Sequence, residues 1–105
     1  MTNTRIPDPE PGSLKVTKVV EWGVTTPDTN QRFRICITGP TYPSSSCISS
    51  DYDGVVVTWL LLEPGDYTVT EIDPGADWQV SGSGQVVVVA AGQSASATIT
   101  NTRIP

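Results

Sequence analysis

Apolar and polar residues alternate along most of this chain, so that residues two apart have the same character. Segments rich in Val, Ile, Thr and aromatic residues lie at 13–20, 33–38, 55–61, 67–72, 85–90 and 94–101. Gly and Pro turn motifs such as Asp53-Gly54 and Asp73-Pro74-Gly75 separate them. A helical period is not sustained anywhere beyond two turns. The pattern predicts an all-β protein, an Ig-like antiparallel β-sandwich of about seven strands.

In three of these segments the inward-facing apolar row ends on a polar residue. Residues two apart share one face of a strand, so the apolar members define the buried face. The three rows are Leu14, Val16 and Lys18; Tyr67, Val69 and Glu71; and Ala97, Ile99 and Asn101. An amine, a carboxyl and a carboxamide are therefore predicted to point inward. Lys15 falls on the outward face.

The sequence of residues 2–7, Thr-Asn-Thr-Arg-Ile-Pro, recurs letter for letter at residues 100–105. Repetition at a fixed period is typical of tandem arrays. We interpret residues 1–12 as the tail of a preceding repeat followed by a Pro-rich linker, residues 13–102 as one β-sandwich, and residues 103–105 as the start of the next linker. The expected partners are adjacent copies of the same repeat. A cloning or chance duplication is the alternative.

Composition narrows the classes of function. The net charge is −5 and histidine is absent, which argues against nucleic acid as a partner and removes the commonest general base and metal ligand. We expect that the protein binds no cofactor and no metal, and that it is not an enzyme with multiple turnovers. The apolar runs are far shorter than the roughly 20 residues that span a bilayer, so no membrane insertion is expected in this segment.

Three motifs resemble a known family. They are Leu14-Lys15-Val16-Thr17-Lys18, the segment from Glu63-Pro64-Gly65 to Glu71, and Ala97-Thr98-Ile99-Thr100-Asn101-Thr102. Together they resemble the Cna B-type (SpaA-like, transthyretin- or prealbumin-like) repeat domains of bacterial surface proteins and pili. The resemblance implies an extracellular location at the bacterial cell surface. It also implies an autocatalytic intramolecular isopeptide bond between Lys18 and Asn101, with Glu71 as acid and base.

Burial makes physical sense of this chemistry. Desolvation disfavours an ammonium group, and a neutral amine is the nucleophile that the reaction needs. Lys18 would attack the side-chain carbonyl of Asn101 while Glu71 stabilises the oxyanion and moves protons. Such a reaction occurs once per molecule. The alternative is that the three residues are hydrogen-bonded or solvated groups at strand ends, with no covalent bond.

Two cysteines remain. Cys36 lies in the outward phase of its strand, and Cys47 follows the turn around Gly39-Pro40. A hairpin would bring them together, so we predict a surface disulfide formed in an oxidising compartment. Two unpaired thiols are the alternative. Gram-positive members of the family mostly lack cysteines, so the pair is a departure from it.

Two functions follow. The first is a structural spacer or stalk repeat in an adhesin, pilus or filament, stabilised by the isopeptide bond and the disulfide. The second is a carbohydrate- or protein-binding module without that bond. It would contact a host or matrix ligand through Trp22, Trp59 and Trp78 or through the long segment 39–53. A spacer leaves its tryptophans buried and scattered, whereas a binding module clusters them on one exposed face.

Overall fold

A computed structural model describes residues 10–104, and they form eight β-strands. The strands are β1 (Gly12–Glu21), β2 (Phe33–Thr38), β3 (Ser46–Ser50), β4 (Val56–Leu62), β5 (Gly65–Glu71), β6 (Trp78–Ser81), β7 (Gln85–Val89) and β8 (Ser94–Arg103). No helix in this part of the chain is long and apolar enough to cross a membrane. Residues 1–9 of the predicted tail and linker, and Pro105, lie outside the described residues.

The strands form two four-stranded sheets, ordered β4-β1-β8-β6 and β3-β2-β5-β7. The predicted all-β sandwich is confirmed. All pairs are antiparallel except β1 and β8, which run parallel with Val16 opposite Ala97. Because these two strands begin together and end together, the chain enters the sandwich at one end and leaves at the other. We call these the amino end and the carboxyl end of the module.

Two of the eight strands are absent from the sequence prediction. Three of the five residues in β3 are serines, and β6 has only four residues, between Gly75 and Gly82. Serine and glycine favour turns, so both segments have the composition of loops. Pairing with β2 and with β8 makes them strands. As a result, the long segment 39–53 contains a strand rather than a single open loop.

The main core lies between the two sheets and contains the inward rows of β1, β5 and β8. Tyr67 is fully buried, and its hydroxyl donates to the carbonyl of Glu63 at 2.6 Å. The same hydroxyl lies 2.8 Å from the hydroxyl of Thr41, which in turn accepts from the backbone N–H of Glu63. These bonds tie the Pro-Gly-x-Tyr motif to the β2–β3 loop. The motif therefore fixes where β5 begins, and with it the position of Glu71.

The disulfide between Cys36 and Cys47 is present, and the two residues are directly opposite each other on β2 and β3. The prediction that it lies at the surface is wrong for Cys36, which is only 6 % exposed. The reason is that β2 is an interior strand of its sheet. Cys47 on one side and Thr70 on the other flank Cys36 on the outer face.

Thiol labelling of the denatured, unreduced protein should find no free sulfhydryl. The disulfide spans a sequence separation of 11 residues, for which chain entropy gives a stabilisation of about 3 kcal/mol. Reduction should therefore lower the free energy of unfolding by about that amount in a urea titration. Stoichiometric labelling of both cysteines before reduction would contradict the disulfide and indicate a reducing compartment.

Candidate functional site

Three strands position the predicted site residues. In the parallel ladder, Lys18 is opposite Ile99 and Val20 is opposite Asn101. Lys18 and Asn101 therefore lie on the same inward face of adjacent strands, offset by one step of the side-chain period. Glu71 reaches them from β5 in the facing sheet. The structure brings the three side chains together in a polar cluster between the sheets.

The cluster is closed to solvent. The amine Nζ of Lys18 lies 3.3 Å from Oε1 of Glu71, and both side chains are fully buried. The carboxamide nitrogen of Asn101 donates to Oε2 of Glu71 at 2.7 Å, and Asn101 is also fully buried. Glu71 thus bridges the prospective nucleophile and the prospective electrophile, one carboxyl oxygen to each.

Burial lowers the pKa of Lys18 below its ordinary value, and the nearby Glu71 carboxyl only partly opposes this by attraction and hydrogen bonding. Two further contacts hold the amine in place. Nζ lies 4.4 Å from the centre of the Phe33 ring and 3.4 Å from the backbone carbonyl of Val19. The amine is therefore fixed in position and biased towards its neutral, nucleophilic form.

The carboxamide oxygen of Asn101 is buried without a hydrogen-bond partner. A buried acceptor without a donor is costly, and the two ends of a carboxamide have nearly the same shape. Rotating the carboxamide by half a turn would bring Oδ1 to the place where Nδ2 now contacts Glu71. A protonated Glu71 could then donate to that oxygen, which is the contact that polarises the carbonyl for attack.

An aromatic cluster adjoins the site at the carboxyl end of the module. Phe33, Trp22 and Trp78 pack edge to face, with ring centres 4.9 Å apart for the two tryptophans and 5.0 Å apart for Phe33 and Trp78. The indole N–H of Trp22 donates to the carbonyl of Tyr52. Since Phe33 also contacts the Lys18 amine, this cluster forms part of the wall that excludes water from the site.

Sequence reasoning missed the role of these aromatic residues. It left the tryptophans open as core packing or as an exposed sugar platform, and with exposures of 9 %, 4 % and 8 % Trp22, Trp59 and Trp78 are core packing. Phe33 carried a signal, since it begins the inward row of β2. Ser50, directly opposite Phe33, was also missed; it is buried and its hydroxyl has no hydrogen-bond partner.

Comparison with known proteins gives matches of structure alone. The sequence matches no known protein family and no curated protein. Among solved structures, the chain is similar to the Bacillus anthracis TIE protein, at 20 % identity and a TM-score of 0.64 over 90 % of this chain and 17 % of that one. It is similar to GBS52, the minor pilin of the Gram-positive pathogen Streptococcus agalactiae, at 20 % identity and a TM-score of 0.61 over 93 % and 47 %.

A third similar structure is the pilus-presented adhesin Spy0125 (Cpa), at 16 % identity and a TM-score of 0.62 over 92 % of this chain and 28 % of that one. The chain thus spans less than half the length of each of these proteins. At such identities the likeness concerns the fold. The chain has the β-sandwich fold found in domains of a Gram-positive minor pilin and a pilus-presented adhesin.

Proposed function

We propose that this chain is a Cna B-type spacer repeat of an extracellular bacterial surface protein, adhesin or pilus, locked by an isopeptide bond between Lys18 and Asn101. The observation that carries the proposal is the buried cluster. Glu71 contacts the amine of Lys18 at 3.3 Å and the carboxamide of Asn101 at 2.7 Å, inside a core that excludes water. Burying an amine and a carboxyl in a core is costly even when they are paired. A reaction that converts the amine to an amide would explain why these groups are buried.

The reaction is a transamidation. Lys18 gives a proton to Glu71, and its neutral Nζ attacks Cγ of Asn101 while the protonated carboxyl donates to Oδ1. Glu71 then takes a proton from the attacking nitrogen and passes one to Nδ2. The bond between Cγ and Nδ2 breaks, ammonia leaves, and the new amide joins Lys18 to Asn101. One amine and one primary amide become one secondary amide and one ammonia, so no other reactant is needed.

Fixed geometry explains why no separate enzyme is required. Holding reacting groups in contact can contribute about 7 to 11 kcal/mol towards the barrier. Folding brings the Lys18 strand and the Asn101 strand together in one register. The dry surroundings also strengthen the interaction of Glu71 with the developing oxyanion. The catalytic act is a single turnover, so the proposal does not make this protein an enzyme in the usual sense.

The position of the bond suits a spacer under tension. Because β1 and β8 are parallel neighbours, force on a chain that enters at the amino end and leaves at the carboxyl end acts along these two strands. A bond from Lys18 to Asn101 would pass that force directly from β1 to β8. The chain between residues 18 and 101 would then carry little load, and the sandwich would resist mechanical unfolding.

Other features support the extracellular location and favour the spacer over a binding module. The disulfide supports an oxidising compartment, as expected for a secreted or cell-surface protein. The tryptophans are buried in two separate clusters, Trp59 in the main core and the other two at the carboxyl end. A carbohydrate-binding platform needs exposed rings, so this arrangement favours the spacer.

Intact mass spectrometry tests the bond. After reduction of the disulfide, the folded protein should weigh one ammonia less than its sequence, because the reaction removes Nδ2 of Asn101. Asn101→Ala should have its full calculated mass. Lys15→Ala is the matched control, since Lys15 lies on the same strand but is exposed, and it should still lose ammonia. Full mass in folded wild-type protein would contradict the proposal.

A further inference from the structure

Each end of the module carries an exposed apolar feature, a side chain at one end and a recess at the other. At the carboxyl end, a turn closed by a bond from Thr25 N–H to the Trp22 carbonyl presents Val24, which is 93 % exposed. At the amino end lies an open pocket of about 430 Å³, lined by Pro11, Gly12, Leu60, Leu61, Gly92 and Gln93 among others. A protruding apolar side chain thus lies at one end and an apolar recess at the other.

Leu61 shows that the recess is a built feature. Its backbone has φ of +57°, a conformation that costs a branched side chain energy and that glycine usually supplies. The side chain is nevertheless 76 % exposed, and that of its neighbour Leu60 is 66 % exposed. In an isolated module, this strained backbone therefore holds apolar side chains in solvent. The positive φ belongs to a β-bulge, because β4 has one residue more than β1 between the Gly12–Leu62 and Leu14–Trp59 pairs. The bulge leaves two consecutive leucines exposed, and an exposed apolar pair of this kind marks a candidate contact surface.

The length of chain between repeats determines what can reach the recess. Ile104 is tied to the carboxyl end through its N–H, which donates to the Asp77 carbonyl at 2.8 Å. The carbonyl of Glu10 is tied to the amino end by the N–H of Gly92. In a tandem array Ile6 is the copy of Ile104, so only residues 7–9 separate the two anchors. Four steps of about 3.8 Å span at most about 15 Å.

We propose that the Val24 turn of each repeat docks into the Leu60–Leu61 recess of the repeat that follows it. The occupant is a second copy of this module, and the inference rests on the proposed function as a tandem spacer. Since the two contacting surfaces differ and lie at opposite ends, the contact does not close on itself and generates a filament. The junction between repeats is then a defined interface, so the stalk is stiff at its joints as well as within its modules.

The test uses a two-repeat protein in which residue 8 of a second copy follows Pro105 of the first. Backbone nitrogen relaxation by NMR should give one common rotational correlation time for both modules. Val24→Ser in the first copy, or Leu61→Ser in the second, should separate the two values and move each towards that of a single module. The same Leu61→Ser in the first copy, where the recess faces no neighbour, should leave the coupling unchanged.

Val88→Ser, at a 66 % exposed position on β7, is a second control that should also leave the coupling intact. Independent tumbling of the unmodified modules would overturn the junction. Coupling that survives both Val24→Ser and second-copy Leu61→Ser would also overturn it, because the linker alone would then account for the coupling. The mass of the same sample separates this inference from the proposed function. Loss of two ammonia molecules with uncoupled modules rejects only the junction, whereas full mass rejects the cross-link.

Discussion

Replacing Asn101 with alanine is expected to lower the melting temperature by about 18 to 36 °C, the largest stability change we expect from any single substitution here. A cross-link between residues 18 and 101 closes most of the chain into one loop. In the chain-entropy treatment of covalent cross-links, a loop of this length stabilises the fold by about 4.5 kcal/mol. For a domain of this size, each kcal/mol shifts the melting temperature by about 4 to 8 °C.

Truncation of Asn101 also removes the donor to Glu71, so a second variant must separate the bond from the packing. The triple change Lys18→Met, Glu71→Leu and Asn101→Leu replaces the cluster with apolar groups of similar size, which is often neutral or stabilising for buried ionic groups. It should nevertheless melt well below the wild type, because the cross-link is lost. A triple variant as stable as the wild type would show that the bond contributes no stability.

The unlinked Asn101→Ala protein should also show a pH dependence that the linked protein lacks. The pKa of Lys18 is lowered in the fold, chiefly by desolvation, from an ordinary value of 10.5. At pH values between the folded-state pKa of Lys18 and this ordinary value, the unfolded chain binds more protons than the folded one. The free energy of unfolding therefore rises with pH across that window. In the linked protein the Lys18 nitrogen is an amide and does not titrate. Urea titrations of Asn101→Ala and of the linked wild type at several alkaline pH values measure the difference, with the triple variant, which lacks the Lys18 amine, as a control.

The sequence predicts the polar cluster because strand periodicity applies wherever one face is buried. Lys18, Glu71 and Asn101 each continue a row of inward apolar residues, and the structure places all three in the core. Periodicity does not reveal which strands are neighbours. The parallel pairing of β1 with β8, which puts Lys18 beside Asn101, joins the first and last strands of the chain, and no local pattern encodes such a contact.

Other features depend on tertiary contacts. β3 becomes a strand because it pairs with β2, despite its serines. Cys36 lies in the outward phase as the alternation predicts, but its burial depends on neighbours on both sides. The aromatic wall around the site needs Trp22, Phe33 and Trp78 to converge from three separate segments. Alternation assigns a side chain to a face, whereas convergence of this kind follows only from the pairing of whole strands.

Replacing Glu71 with glutamine is expected to slow formation of the bond by about 10²- to 10⁴-fold, the usual contribution of a general acid–base residue. Glutamine keeps the size of the side chain and its capacity to hydrogen-bond Asn101, but it cannot exchange protons. The chain can be made by cell-free translation, quenched in acidic denaturant at intervals and reduced. Intact mass then gives the fraction that has lost ammonia, for the wild type and for Glu71→Gln side by side.

The two roles that Glu71 could have predict opposite results. If it served only to hold the Lys18 amine, its removal would also remove the attraction that raises the pKa of Lys18, so burial would lower that pKa further. More of the amine would be neutral, and the bond would form at least as fast as in the wild type. If Glu71 moves protons and stabilises the oxyanion, the reaction slows even though the nucleophile is more available. We expect the slow result at every pH, including alkaline pH where the amine of both proteins is fully neutral. A Glu71→Gln protein that loses ammonia at the wild-type rate at high pH would show that Glu71 acts through the charge of Lys18 alone.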